Sequence, residues 1–311
     1  VLYFHTTEDY SKTIDITKRS LNFTLAKKNK SAIDSSHIAN IYNNLGVFYK
    51  DVGDLTRSFQ CIQIALNIHK KIKFQDFETT DILYNYGNTL SHMNKENEAI
   101  KYYFQALKLN EKNLLIEKNK NKGEINNLLA ESYFKLNQLD SALYFINKAS
   151  QYTKDESKNW NAILKSQLLN TKNQEDYALK ILQPIIDSIQ NGKTYSRLFI
   201  KHHAYIVLGE IYFGKKDYSN ALNAFEEALT VNSPDYKKTK NYYVKKDIKE
   251  VLNIDFLVET LTNEAKVFEA MNTKKSNLAA FQTYQMAIKW VEKMRHELAF
   301  EESKIRLNEK H

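Results

Sequence analysis

The side chains able to do covalent or metal chemistry are few. There is one thiol, Cys61, and there are eight histidines scattered from His5 to His311. A nucleophile–base pair needs a thiol or hydroxyl held beside an imidazole. Cys61 lies instead among Phe59, Ile62 and Ala65 in a stretch with helical spacing, the setting of a half-buried helix cysteine. A single cysteine also excludes an internal disulfide framework and a multi-cysteine metal site. Helices that bind metal carry histidines at i and i+4. No pair here has that spacing, and the adjacent His202 and His203 point to different helix faces. No glycine loop for phosphate and no nucleophile elbow occurs. The expectation is a non-catalytic chain with no metal and no cofactor.

What the chain offers instead is amide chemistry. Asn40, Asn43 and Asn44 cluster, then Asn85 and Asn88 beside Tyr84, then Asn127 near Glu131. An asparagine has two donors and an acceptor, so it can pair with the amides of an extended peptide without demanding a particular side chain. Asparagine is common throughout this chain, so composition alone could also produce these clusters. Which of them share a face depends on the elements that carry them.

Those elements are helices. The 311 residues include only 7 Gly and 2 Pro, too few breakers for a sandwich, a barrel or a doubly wound nucleotide-binding fold. No run of apolar residues is long enough for a transmembrane helix. Net charge is +8, from 45 basic and 37 acidic residues spread along the chain, a weak argument for nucleic acid. The chain starts at Val1 without a signal peptide and reads as an excised or processed piece.

The chain also repeats itself. The clearest unit is Tyr205-x-x-Leu208-Gly209-x-x-Tyr212, then Ala221-x-x-x-Phe225-x-x-Ala228, then Pro234. The spacing recurs with Tyr42, Leu45, Gly46 and Tyr49, followed by Ile62 and Ala65. It recurs again with Leu83, Tyr86, Gly87 and Leu90, followed by Ala99, Tyr103 and Ala106. A further copy has Leu129, Ala130 and Tyr133, then Ala142, Ile146 and Ala149. Small residues let a second helix approach, and large ones between them interlock. Asp51–Asp54, Asn94–Glu96, Asn137–Gln138 and Gly214–Asp217 read as the turns, with Gly53 and Gly214 closing two of them.

This pattern resembles the tetratricopeptide repeat (TPR) signature. The resemblance implies an all-α, right-handed superhelical solenoid of antiparallel helix pairs over residues 1–311. The expected division is a partial repeat 1–35 and repeats at about 36–76, 77–121, 122–154, 155–193 and 194–233. An insertion 234–248, a last pair 249–300 and the start of a further helix at 301–311 follow. Pro184 should kink the second helix of the degenerate fifth repeat.

In a TPR array the first helices line a concave groove. By that resemblance Asn40, Asn43, Asn44, Val47, Tyr84, Asn85, Asn88, Asn127 and Glu131 face a peptide. Chaperone-binding TPR proteins need groove lysines and arginines, and Asn43, Tyr84 and Asn127 stand in their places. In later repeats Trp160, Ile163, His203, Ile206, Glu210 and Phe213 match the groove. An apolar patch of Trp160, Ile163, Ile206 and Phe213 either takes a partner's hydrophobic anchor or is covered by the array itself.

The C-terminal run Asn277-Leu-Ala-Ala-Phe-Gln-Thr-Tyr284-Gln-Met-Ala-Ile-Lys-Trp290, continued by Glu301–Leu307, is similar to the repeat region preceding the caspase-like CHAT domain of Bacteroidetes-type TPR–CHAT proteins. It implies a bacterial scaffold or sensor that binds a protein or peptide, including its own C-terminal domain, and regulates a domain this chain lacks. Two other readings stay open: the extracytoplasmic sensor of a signalling kinase, and a nucleic-acid-responsive module. The last rests on the lysines and tyrosines of Pro234–Lys246, which a solvated basic loop with tyrosines packed on neighbouring helices explains as simply. The expected compartment is the cytoplasm, with the periplasm as the alternative.

Overall fold

The computed structural model describes residues 7–72, 77–112, 121–152, 156–192, 198–238, 241–243 and 246–308. Among them are thirteen helices and no strand. Two compact units divide the chain, Val1–Thr153 and Lys154–His311.

The first unit holds α1 (Thr7–Leu25), α2 (Ala32–Asp51), α3 (Leu55–Ile72), α4 (Phe77–His92), α5 (Glu96–Lys112), α6 (Lys122–Lys135) and α7 (Leu139–Ala149). Helices α2–α3, α4–α5 and α6–α7 form pairs stacked in chain order, and α1 lies against α2. Ile14 and Leu21 of α1 bury with Ile38, Ile41, Leu45 and Tyr49 of α2. Helix α2 starts at a capping box in which Ser31 Oγ accepts from Asp34 N and Asp34 Oδ2 accepts from Ser31 N.

The second unit holds α8 (Glu156–Thr171), α9 (Glu175–Gln190), α10 (Leu198–Gly214), α11 (Tyr218–Asn232), α12 (Ile254–Met271) and α13 (Lys274–Asn308). Its pairs are α8–α9, α10–α11 and α12–α13. Helix α9 continues through Pro184, whose side chain is exposed. Residues 301–308, expected to begin a further helix, continue α13.

The small residues do what their spacing predicts. A Cβ on Gly46 would stand 2.3 Å from Ile62 Cγ1, one on Gly87 2.6 Å from Tyr103 Cε1, and one on Gly209 2.4 Å from Phe225 Cε1. In the other three pairs Ala130, Ser166 and Ala265 hold this place and are buried. Facing them, Ala65, Ala99, Ala142, Ala178 and Ala221 are all fully buried. The three glycine pairs therefore close around one large side chain that fits only against a missing Cβ, and the other three keep a small residue at the same place.

Every pair turns through one left-handed residue. These are Gly53, Asn94, Asn137, Asn173, Lys216 and Asn272. In the first five turns the next residue's N–H reaches back to a carbonyl of the preceding helix, as in Asp54 N to Tyr49 O and Asp217 N to Tyr212 O. Gly214 is thus not the residue that closes its turn. A Cβ there would come within 3.3 Å of Asn170 Oδ1 and Glu175 Oε1, so its small size admits the neighbouring pair.

The insertion after α11 is exposed at Pro234, Asp235, Lys237, Lys238 and Asn241, while Tyr236 packs inward and Tyr243 lies against Phe268 of α12. Its ends are stapled by Asn232, whose side chain donates to Asn253 O at 2.8 Å and accepts from Asn253 N at 2.9 Å. Asn253 then caps α12 by accepting from Phe256 N. Within the insertion Tyr236 and Lys246 are buried. The Lys246 ammonium pairs with Glu226 of α11 and, at 2.9 Å, with Glu264 of α12. Tyr236 donates to Glu226 Oε2 at 2.6 Å.

Candidate functional site

The first helices of the first unit, α2, α4 and α6, carry the expected amides. Asn43 is buried and accepts, through Oδ1, a hydrogen bond from Asn85 Nδ2 at 3.2 Å. This bond joins α2 to α4 across successive repeats. It uses one donor of Asn85 and the carbonyl of Asn43, so the Asn85 carbonyl and the Asn43 amino group keep hydrogen-bonding capacity. On the same two helices, Asn40, Tyr84 and Asn88 are half-buried and Asn44 is exposed. Val47 is half-buried one turn further along α2.

The same face becomes acidic toward α6. Asp81 accepts from Asn121 Nδ2, and Glu124 lies in the first turn of α6. Burial pushes the Glu124 carboxyl above its ordinary value. The Tyr84 phenol is held far above its usual range, by burial first and then by Glu124 and Asp81. Tyr84 therefore stays a neutral donor and acceptor. Asn127 is buried and Glu131 half-buried on α6. The fold thus brings Asn43 and Asn85 together, with Asn40 and Asn44 on the helix of the first and Tyr84 and Asn88 on the helix of the second.

In the second unit the corresponding face is built differently. Ile163 and Ile206 are each 1% exposed and belong to the core that α8, α9, α10 and α11 share. They are packing residues of that core, not an open apolar surface. Trp160 and Phe213 are half-buried against that core. Trp160 joins an aromatic cluster with Phe199 at 4.5 Å and His203 at 5.3 Å between centroids. Phe256 of α12 stacks on His202 at 4.3 Å with the rings 7° from parallel.

Although His202 and His203 start from different faces of α10, their rings stand 5.3 Å apart and three ionisable groups converge there. His202, His203 and Glu259 each offer a ligand atom, and those atoms lie within 4.8 Å of one another. Burial lowers both histidines, His202 to about 3. Burial first, then the charge of Glu210, pushes Glu259 up to about 7. Glu210 itself is raised by burial and accepts from Gln167 Nε2 at 3.4 Å. Reasoning within one helix missed Glu259, Phe199 and Phe256. The repeat register contained the signal: Trp160, His203 and Glu259 stand six residues before Ser166, Gly209 and Ala265, the small positions of their helices.

Cys61 is half-buried, and burial pushes its thiol up to about 11. At neutral pH it is a protonated thiol and a poor nucleophile. No helix among the described residues is long and apolar enough to cross a membrane.

Residues 37–112 and 202–235 each match a family model described as tetratricopeptide repeat. No curated protein matches the chain. Solved structures do. The Rap conjugation gene regulator of plasmid pLS20, in complex with the Phr* peptide, superposes with a TM-score of 0.64 at 13% identity, over 93% of this chain and 71% of that one. A Rap protein complexed with competence and sporulation factor gives 0.63 at 11%, over 94% and 72%. The APC/C hetero-tetramer Cut9–Hcn1 gives 0.60 at 12%, over 90% of this chain and 46% of that one. At these identities the likeness is one of fold. Residues 37–112 and 202–235 carry tetratricopeptide repeats, and the described residues have an all-α, TPR-like fold.

Proposed function

We propose that the chain is a non-catalytic recognition module that binds an extended peptide or protein segment on its first-helix face. The observation that carries this is the Asn43–Asn85 amide pair, which links α2 to α4 and leaves amide groups on helices that also carry Asn40, Asn44, Tyr84 and Asn88. A backbone lying across the face could exchange hydrogen bonds with these groups in any side-chain context. The pLS20 regulator of similar fold is described in complex with a peptide, which supports the reading. The test is recovery of partners from the native host by the intact chain and by a double variant, Asn44→Ala with Asn88→Ala. Both side chains lie outside the core, so the melting temperature should hold while recovery of the bound protein falls. Equal recovery by both proteins would remove this face from the reading.

The finer proposal is that the module regulates a caspase-like CHAT domain in the same protein, in the bacterial cytoplasm. Its support is the run Asn277–Trp290. The residues beyond His311 decide between this and the kinase-sensor alternative. A His and a Cys brought together in an α/β domain favour the CHAT reading, and a membrane helix favours the kinase. A nucleic-acid role is the weaker proposal, because Lys246 is taken up by Glu226 and Glu264, and Lys238 by Glu227.

A further inference from the structure

We infer that the second unit holds a divalent transition-metal ion between α10 and α12, ligated by His202, His203 and Glu259. Each histidine has one ring nitrogen already engaged with a main-chain carbonyl. His202 Nε2 lies 3.1 Å from Phe256 O and 2.9 Å from Thr260 Oγ1. His203 Nδ1 lies 3.0 Å from Phe199 O. A carbonyl only accepts, so the engaged nitrogen carries the proton and the other nitrogen carries the lone pair. Metal-binding histidines are oriented in this way, the far nitrogen donating to a carbonyl or carboxylate while the near one ligates.

The remaining nitrogen of His202 is the second, independent observation. The His202 side chain is fully buried, yet Nδ1 has no hydrogen-bond partner. It lies 3.8 Å from Glu259 Oε2, beyond hydrogen-bond range. A buried polar atom without a partner is costly in a dry site unless a ligand satisfies it. A protein-only hydrogen bond would need a shorter distance; an ion between the two atoms suits a longer one. Tetrahedral ligands around such an ion stand about 3.4 Å apart, from bond lengths near 2.1 Å. The three ligand atoms lie within 4.8 Å of one another, so an ion would have to draw them closer, and the 40% exposed Glu259 side chain is the one with room to move.

The donor set of two imidazoles and one carboxylate suits Zn²⁺, Co²⁺, Ni²⁺ or Cu²⁺ better than Mg²⁺ or Ca²⁺. Three protein ligands leave a tetrahedral ion one open position.

The test uses the full chain without a histidine tag, stripped with a chelator and titrated with Zn²⁺ in a calorimeter, then with Co²⁺ in the visible. The expected result is one Zn²⁺ per chain and the absorption bands of tetrahedral Co²⁺. His203→Ala and Glu259→Gln alter groups at the rim of the core and should fold, with metal-free melting as the control. Each should weaken Zn²⁺ by more than about tenfold and abolish the Co²⁺ bands. Absence of stoichiometric binding, or loss in fewer than both variants, overturns the site.

Discussion

Lys246 is the residue whose chemistry changes most between sequence and structure. Its neighbours in the chain are lysines and tyrosines, and a basic surface is the natural reading. In the fold its ammonium is buried between Glu226 and Glu264. Two carboxylates share one cation there, and burial dominates at Glu264, pushing its carboxyl up to about 7 against the opposing pull of Lys246. The sign follows from linkage. A carboxyl raised above its ordinary 4.5 binds more protons in the folded than in the unfolded chain between those two values. Its contribution to stability is full below pH 4.5 and is lost as pH rises toward 7. Unfolding free energy measured in urea across pH 4.5–7 should therefore carry a downward term that Glu264→Gln removes. An identical pH dependence in wild type and variant would contradict the assignment.

At the scale of elements, the helix pair is the unit, and its closest point is one small residue. Gly209 faces Phe225, which is 1% exposed and has nowhere to move. Gly209→Leu should overpack α10 against α11 and destabilise by about 1–3 kcal/mol or more. An unshifted denaturation midpoint would refute this packing. The register of such positions was legible because a glycine or alanine recurs at a fixed place before an Ala-x-x-x-aromatic run. The turns were partly legible. Asn94 and Asn137 are residues that tolerate left-handed backbone, and Gly53 has no side chain to resist it. Lys216 gives no such signal, and Gly214, two residues earlier, drew the reading to itself. Its small size serves packing against Asn170 and Glu175 instead.

For the whole molecule, each unit has apolar clusters of its own, around Leu45 and Tyr49 in one and around Phe225 and Leu261 in the other. Helix pairs bury their stripes against sequence neighbours, so stability should accumulate pair by pair. Residues 1–153 and 154–311, expressed separately, should each show helical circular dichroism and a cooperative melt. A fragment that stays unfolded would mean the unit depends on the rest of the chain.

The sequence by itself determined the helical class, the repeat period, the small contact positions and most turns. These follow from local spacing, because a helix puts residues three and four apart on one face wherever it occurs. Only the tertiary structure decided which side chains meet across helices. It joined Asn85 to Asn43, buried Lys246 between two carboxylates, drew Ile163 and Ile206 into the core, and brought Glu259 beside His202 and His203. Those meetings link residues tens of positions apart. Their geometry is set by how one helix pair packs on the next, which no local pattern specifies.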